Sequence, residues 1–190
     1  MSWEIPYRPS HFHMRQISLG NIRISALPGR CSQGVLRAGP RVVPVALGRG
    51  GIKANKREGD GGTPRGQFFP VRVWWRADRV PHPRTSLPIR RIGPVDAWCE
   101  DPTDRRYNRA FGRSASEPGD RLWRRDGLYD LLIEIDHNTK PRIAGRGSAV
   151  FIHLARPGFA PTAGCVALRL PDLQKLVSRL GPKTRIMIHN

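Results

Sequence analysis

Two residue types able to make and break acyl bonds lie close together in SAVFIHLARPGFAPTAGCVALRLPDLQKL, where His153 closes an apolar run and Cys165 follows a glycine. A thiol attacks a carbonyl carbon well only as thiolate. An imidazole within hydrogen-bond reach lowers the cost of that thiolate and later protonates the leaving amine. The pair predicts acyl transfer with Cys165 as nucleophile and His153 as base. Gly164 allows the backbone to turn tightly, so that amide N–H groups at or beside Cys165 can face a developing oxyanion. Thr162 is placed to tie that turn down. The competing explanation on spacing alone is a buried structural cysteine and a strand-end histidine.

Other residues offer less. WCEDPTDRRYNR packs Trp98, Cys99, Tyr107 and Asn108 into a short span. Trp98, Tyr107 and Asn108 are candidates for a pocket wall that holds a peptide while nearby arginines meet its carboxylates. The alternative is a loop sealed by Trp98 and Tyr107 around an incidental thiol. Cys31, Cys99 and Cys165 are an odd number without paired spacing, which indicates neither a disulfide framework nor zinc. GDGGTPRG lacks the Gly-Lys-Ser/Thr ending of a phosphate-cradling loop. His11 and His13 have no carboxylate or cysteine partner that would make them metal ligands. The stretch KANKR, Lys53 to Arg57, is read as decoration of an exposed loop. Acyl transfer of this kind needs no metal and no cofactor.

The elements that must position the pair are mostly strands. NIRISAL, QGVLRAG and RVVPVALG are short, β-branched and bounded by Gly or Pro, which predicts a meander entering a first sheet. A glycine-dense loop then runs into QFFPVRVWWR, read as one strand at the rim of the site. Residues 77–126 are rich in Pro, Arg, Asp and Asn and read mainly as loop. LYDLLIEID and SAVFIHLA predict central strands, and TRIMIHN a last one. LPDLQKLVSRLGP places Leu170, Leu173, Leu176, Val177 and Leu180 at helical spacing between Pro171 and Gly181. The expectation is a mainly β domain with one or two short helices over residues 20–190, after an extended lead-in over residues 1–19.

His153, followed by a loop and then Thr162, Ala163, Gly164 and Cys165, resembles the signature of the L,D-transpeptidase catalytic domain (YkuD-type). A second motif agrees: Thr63, Pro64, Arg65 and Gly66 resemble the Thr-Pro-x-Gly turn that leads into a strand in many members. The resemblance implies a mixed β-sandwich or barrel and a thiolate attack on peptidoglycan stem tetrapeptides. In that reaction a thioester forms at the third residue, a diamino acid, terminal D-alanine leaves, and an acceptor amine resolves the acyl-enzyme. Two positions depart from the pattern. Ala163 stands where many members have a second His, and Leu154 where many have Gly or Ser, so that a backbone carbonyl would have to hold the tautomer of His153.

The formal charge of +18 is mostly arginine and predicts an anionic partner. No zinc-finger spacing, RNA-binding aromatic signature or basic helix accompanies it, so no specific nucleic acid is expected. Two alternatives stay open beside transpeptidation. The same dyad could pass the acyl group to water as a peptidoglycan hydrolase or amidase, or the chain could be a noncatalytic basic module for nucleic acid or anionic wall polymer. The resemblance implies a periplasmic or cell-envelope location, whereas the first residues show no apolar run of signal or membrane-span length, which leaves a cytoplasmic role open. A monomer is expected.

Overall fold

The structure, a computed structural model, describes residues 18–114 and 116–190. Most of the expected lead-in, with His11 and His13, lies outside the described residues. The predicted meander is present as β1 (Asn21–Leu27), β2 (Arg30–Ala38) and β3 (Arg41–Ala46). The glycine-dense loop holds a short parallel pair, β4 (Ile52–Lys53) with β5 (Thr63–Pro64). QFFPVRVWWR differs from expectation, since it forms two strands, β6 (Gly66–Phe68) and β7 (Pro70–Trp75). At Phe69 the backbone leaves the ladder: its N–H donates to Asp136 Oδ1 at 2.7 Å, and Pro70 has no N–H to contribute.

The region read as loop carries β8 (Ile89–Arg91), then β9 (Asp96–Trp98), β10 (Ala110–Gly112) and β11 (Asp120–Arg121). These last three make a small separate sheet in the order β10-β9-β11. Strands of two or three residues cannot display a period-two pattern, which is why composition hid them. Next come β12 (Leu131–Ile135), β13 (Phe151–Leu154) and β14 (Val166–Leu168), helix α1 (Leu170–Val177) and finally β15 (Arg185–His189). The helix begins with Pro171 in its first turn and buries Leu173, Leu176 and Val177.

The main mixed sheet runs β6-β15-β1-β2-β3-β14-β13-β12-β7-β8. Only Phe69 separates β6 from β7, yet they stand near opposite ends of that order. One residue spans roughly 3.5 Å and neighbouring strands lie roughly 4.8 Å apart, so the sheet must curl until its ends approach, as the expected barrel-like form requires. Both faces of its centre are buried. Leu131, Ile133, Ile152, Val166 and Leu168 join the large core under α1. Leu132, Phe151, Trp74 and Trp98 form a second core on the opposite side, which Cys165 joins. Burial of each such large side chain stabilises the fold by about 1.5–3 kcal/mol.

Candidate active site

Register decides which side chains meet. β13 and β14 are parallel neighbours with Ile152 opposite Val166 and His153 opposite Ala167. Successive strand residues point to opposite faces, so Ile152 and Val166 enter the large core while Phe151, His153, Cys165 and Ala167 share the other face. A cavity of about 520 Å³ opens there, and His153, Thr162, Ala163, Gly164 and Cys165 all line it.

His153 Nδ1 lies 2.9 Å from the Leu154 carbonyl. A carbonyl can only accept, so Nδ1 carries the proton and Nε2 is left bare as a base. The backbone oxygen of the residue that departs from the family pattern thus supplies the hydrogen bond its side chain cannot. Tyr129 packs edge-on against the imidazole at 5.2 Å. Its hydroxyl donates to Asp120 Oδ2 at 2.7 Å, and Asp120 also pairs with Arg124 at 3.1 Å.

The Cys165 thiol donates to the Ala149 carbonyl at 3.1 Å, and its sulfur accepts the Phe151 N–H at 3.3 Å. The sulfur therefore rests on the backbone of the strand next door instead of on the imidazole. Burial pushes the thiol up to about 12 and the imidazole down to about 4, so both rest neutral. His153 is 6% exposed and Cys165 7%, at the floor of the cavity.

The turn before Cys165 is fixed from two directions. Thr162 Oγ1 accepts the Gly164 N–H at 3.1 Å and donates to the Cys165 carbonyl at 2.7 Å. Gly164 has φ 145, and a Cβ there would stand 2.8 Å from the Gly62 carbonyl. Thr63, first residue of the upstream motif, is fully buried; its hydroxyl donates to the same Cys165 carbonyl at 3.4 Å and accepts the Gly48 N–H at 2.8 Å. The two sequence motifs, far apart in the chain, therefore meet at one backbone oxygen.

Trp98, Tyr107 and Asn108, expected at the substrate surface, are buried and lie behind the cavity instead of lining it. Asn108 is saturated: Oδ1 accepts from Trp98 Nε1 at 2.9 Å and from the Ala149 N–H at 3.2 Å, while Nδ2 donates to the carbonyls of His137 and Asn138. It fixes Ala149, whose φ of 50 is rare for a residue with a Cβ and aims the carbonyl that receives the thiol. Tyr107 donates to Glu58 Oε2, as does Ser148, and accepts the Gly147 N–H.

Cavity residues that the sequence did not single out include Arg49, Lys56, Glu58, Asp120, Arg124, Tyr129 and Arg156. Glu100, also in the lining, is raised to about 7 by burial and then by the carboxylates of Asp120 and Glu58, although the residue as a whole is exposed. The reading of Lys53–Arg57 as surface decoration is corrected for Lys56, which is buried. A lysine's burial depends on where its loop packs, and no local pattern announces that. No helix among the described residues is long and apolar enough to cross a membrane.

The family described as L,D-transpeptidase catalytic domain, YkuD, matches residues 32–188. No curated protein matches the chain. Among solved structures the chain is similar to that titled "Structure of Bdellovibrio bacteriovorus Bd1075", with 15% identity and a TM-score of 0.41. The likeness covers 92% of this chain and 51% of that one, so the chain spans about half the length of that structure.

Proposed function

The chain belongs to the L,D-transpeptidase catalytic domain family, and from that premise we propose that it transfers acyl groups of peptidoglycan stem peptides through Cys165, with His153 as proton shuttle. The supporting observation is a neutral thiol and a bare imidazole Nε2 on one sheet face at the floor of one cavity. The cell envelope is the compartment this activity requires.

In the first half-reaction the thiol turns from the Ala149 carbonyl, and its proton passes to Nε2 as sulfur attacks the carbonyl carbon before the terminal D-alanine. Because burial disfavours a resting thiolate and imidazolium, proton transfer accompanies attack instead of preceding it. The tetrahedral oxyanion faces the Cys165 amide N–H, since the Gly164 N–H is already given to Thr162 Oγ1. Collapse breaks the C–N bond, His153 returns the proton to the departing amine, and a thioester remains. An acceptor amine then attacks the thioester carbon and releases the thiol.

Incubation of the protein with a stem tetrapeptide gives, by intact-mass analysis, an adduct lighter than the tetrapeptide by the lost D-alanine. Cys165→Ala removes the adduct while leaving the fold intact, because the two side chains differ little in volume. An adduct that persists on another residue refutes the assignment. Muropeptide analysis separates cross-linked products, the expected outcome, from shortened stems alone, which would mark the hydrolase.

A further inference from the structure

Lys56 is a charged residue of the cavity that neither the dyad nor the turn before it uses. Its side chain is 6% exposed. The stem passes between the two backbone segments that flank the nucleophile. A Cβ on Gly147 would meet Lys56 Cγ at 2.9 Å, and one on Gly164 would meet Lys56 Cε at 3.5 Å. A buried ammonium is costly unless it is paired and hydrogen-bonded. Nζ donates to Asp60 Oδ1 and to the Arg57 carbonyl, each at 2.7 Å. That accounts for two of three donors, and the third has no acceptor among the described residues.

Asp60 is locked in turn by the N–H groups of Arg57 and Gly62. The pair is polarised with respect to the site, because Lys56 lines the cavity and Asp60 does not. The cationic residue therefore borders the cavity that holds Cys165, and the anionic one stands outside its lining. The carboxylates of Asp120 and Glu100 outweigh Lys56 at the thiol, yet among the described residues Lys56 is the one cation that opposes them. Asp120 and Glu100 make ionisation of Cys165 harder, whereas the Phe151 N–H and the Lys56 ammonium make it easier.

We propose that Lys56 is the fixed positive charge of this site, stabilising the negative charge that develops on the Cys165 sulfur and then on the oxygen of the tetrahedral intermediate. The second role rests on the acyl-transfer reading; the first concerns the thiol alone. A preorganised ammonium held by a carboxylate and a carbonyl needs no reorganisation as charge appears, and in a cavity floor shielded from water it acts through a low dielectric.

The test is the rate of alkylation of Cys165 by iodoacetamide at neutral pH, followed by peptide mass mapping in a Cys31→Ser background to silence the exposed thiol. Lys56→Met keeps the stem between Gly147 and Gly164 and removes the charge. The expected result is about tenfold slower alkylation of Cys165 at neutral pH, since one pKa unit is tenfold. Lys56→Arg restores most of the rate. The double variant Lys56→Met/Asp60→Asn leaves no uncompensated carboxylate and is still alkylated slowly. An alkylation rate that stays at the native value in Lys56→Met, or returns to it in the double variant, overturns the proposal and leaves Lys56 as a strut. With stem tetrapeptide, Lys56→Met lowers the acylation rate while KM stays within about threefold, the mark of an interaction made in the transition state. Alkylation needs no peptide, so a native protein that forms no acyl-enzyme would refute the acyl-transfer reading and leave the thiol result standing.

Discussion

At the residue scale, two groups whose chemistry depends on charge are both stored neutral. His153 sits at about 4 against an ordinary 6.5, because burial disfavours the imidazolium. Between those values the unfolded chain binds a proton that the folded chain refuses, so this contribution to stability is lost as pH falls through that window. Cys165 acts at the other end. Burial holds it at about 12 against 9.0, the folded chain keeps a proton that the unfolded chain releases, and stability falls as pH rises above 9.0. Each shift corresponds to something on the order of 3 kcal/mol. Cys165→Ala should therefore flatten the alkaline limb of a denaturant-midpoint profile, and His153→Gln the acid limb. Equal alkaline slopes in Cys165→Ala and the native protein would show that the thiol is not held neutral. That His153, Gly164 and Cys165 share one neighbourhood was legible in the sequence from their types and order, and all three line one cavity. Lys56 was not legible, since its use depends on burial by residues remote in the chain.

At the scale of elements, the site is a junction between the loop before β6 and the turn before β14. Thr63 joins them: its hydroxyl serves the Gly48 N–H and the Cys165 carbonyl from a fully buried position. Thr63→Val keeps the shape and strips both hydrogen bonds, leaving the Gly48 donor buried without a partner, which costs about 1–3 kcal/mol. The expected outcome is a lower melting temperature together with slower acyl-enzyme formation, with both restored by Thr63→Ser. A Thr63→Val protein that melts early but acylates at the native rate would separate stability from the site and remove Thr63 from its support. The strands β12 and β13 were readable because every residue of LLIEI and the first three of FIHL are buried. The hidden part was β9 to β11. There the determinants are single contacts, such as Asp96 accepting from Gly93 and Arg90 or Asn108 spanning four partners, and no periodicity records them. The same limit put Trp98, Tyr107 and Asn108 on the wrong side of the cavity wall: aromatic and amide residues in a loop suit a binding surface and a buried brace equally well.

At the scale of the whole molecule, a charge of +18 was plain from composition, but its distribution needed the fold. Between Glu4 and Glu58 there is no acidic residue, and after Asp136 only Asp172. The ion pairs of the described residues accordingly fall between Lys53 and Glu134. The sheet formed by β15, β1 and β2 carries cations instead, with Arg23 directly opposite Arg37 in register and both exposed. Like charges facing across strands destabilise a sheet, and an excess of one sign opposes compaction. Added salt screens both repulsions as well as the surface ion pairs, each of which contributes little. Repulsion should dominate, so the melting temperature rises between low salt and about 0.5 M sodium chloride, where the Debye length is only a few ångströms. Arg23→Glu, which turns the facing pair into an attractive one, should add roughly 0.5 kcal/mol at low salt and reduce the salt dependence. If melting instead falls with salt, the ion pairs between Lys53 and Glu134 outweigh the repulsion at β1 and β2, and Arg23→Glu would then bring no gain.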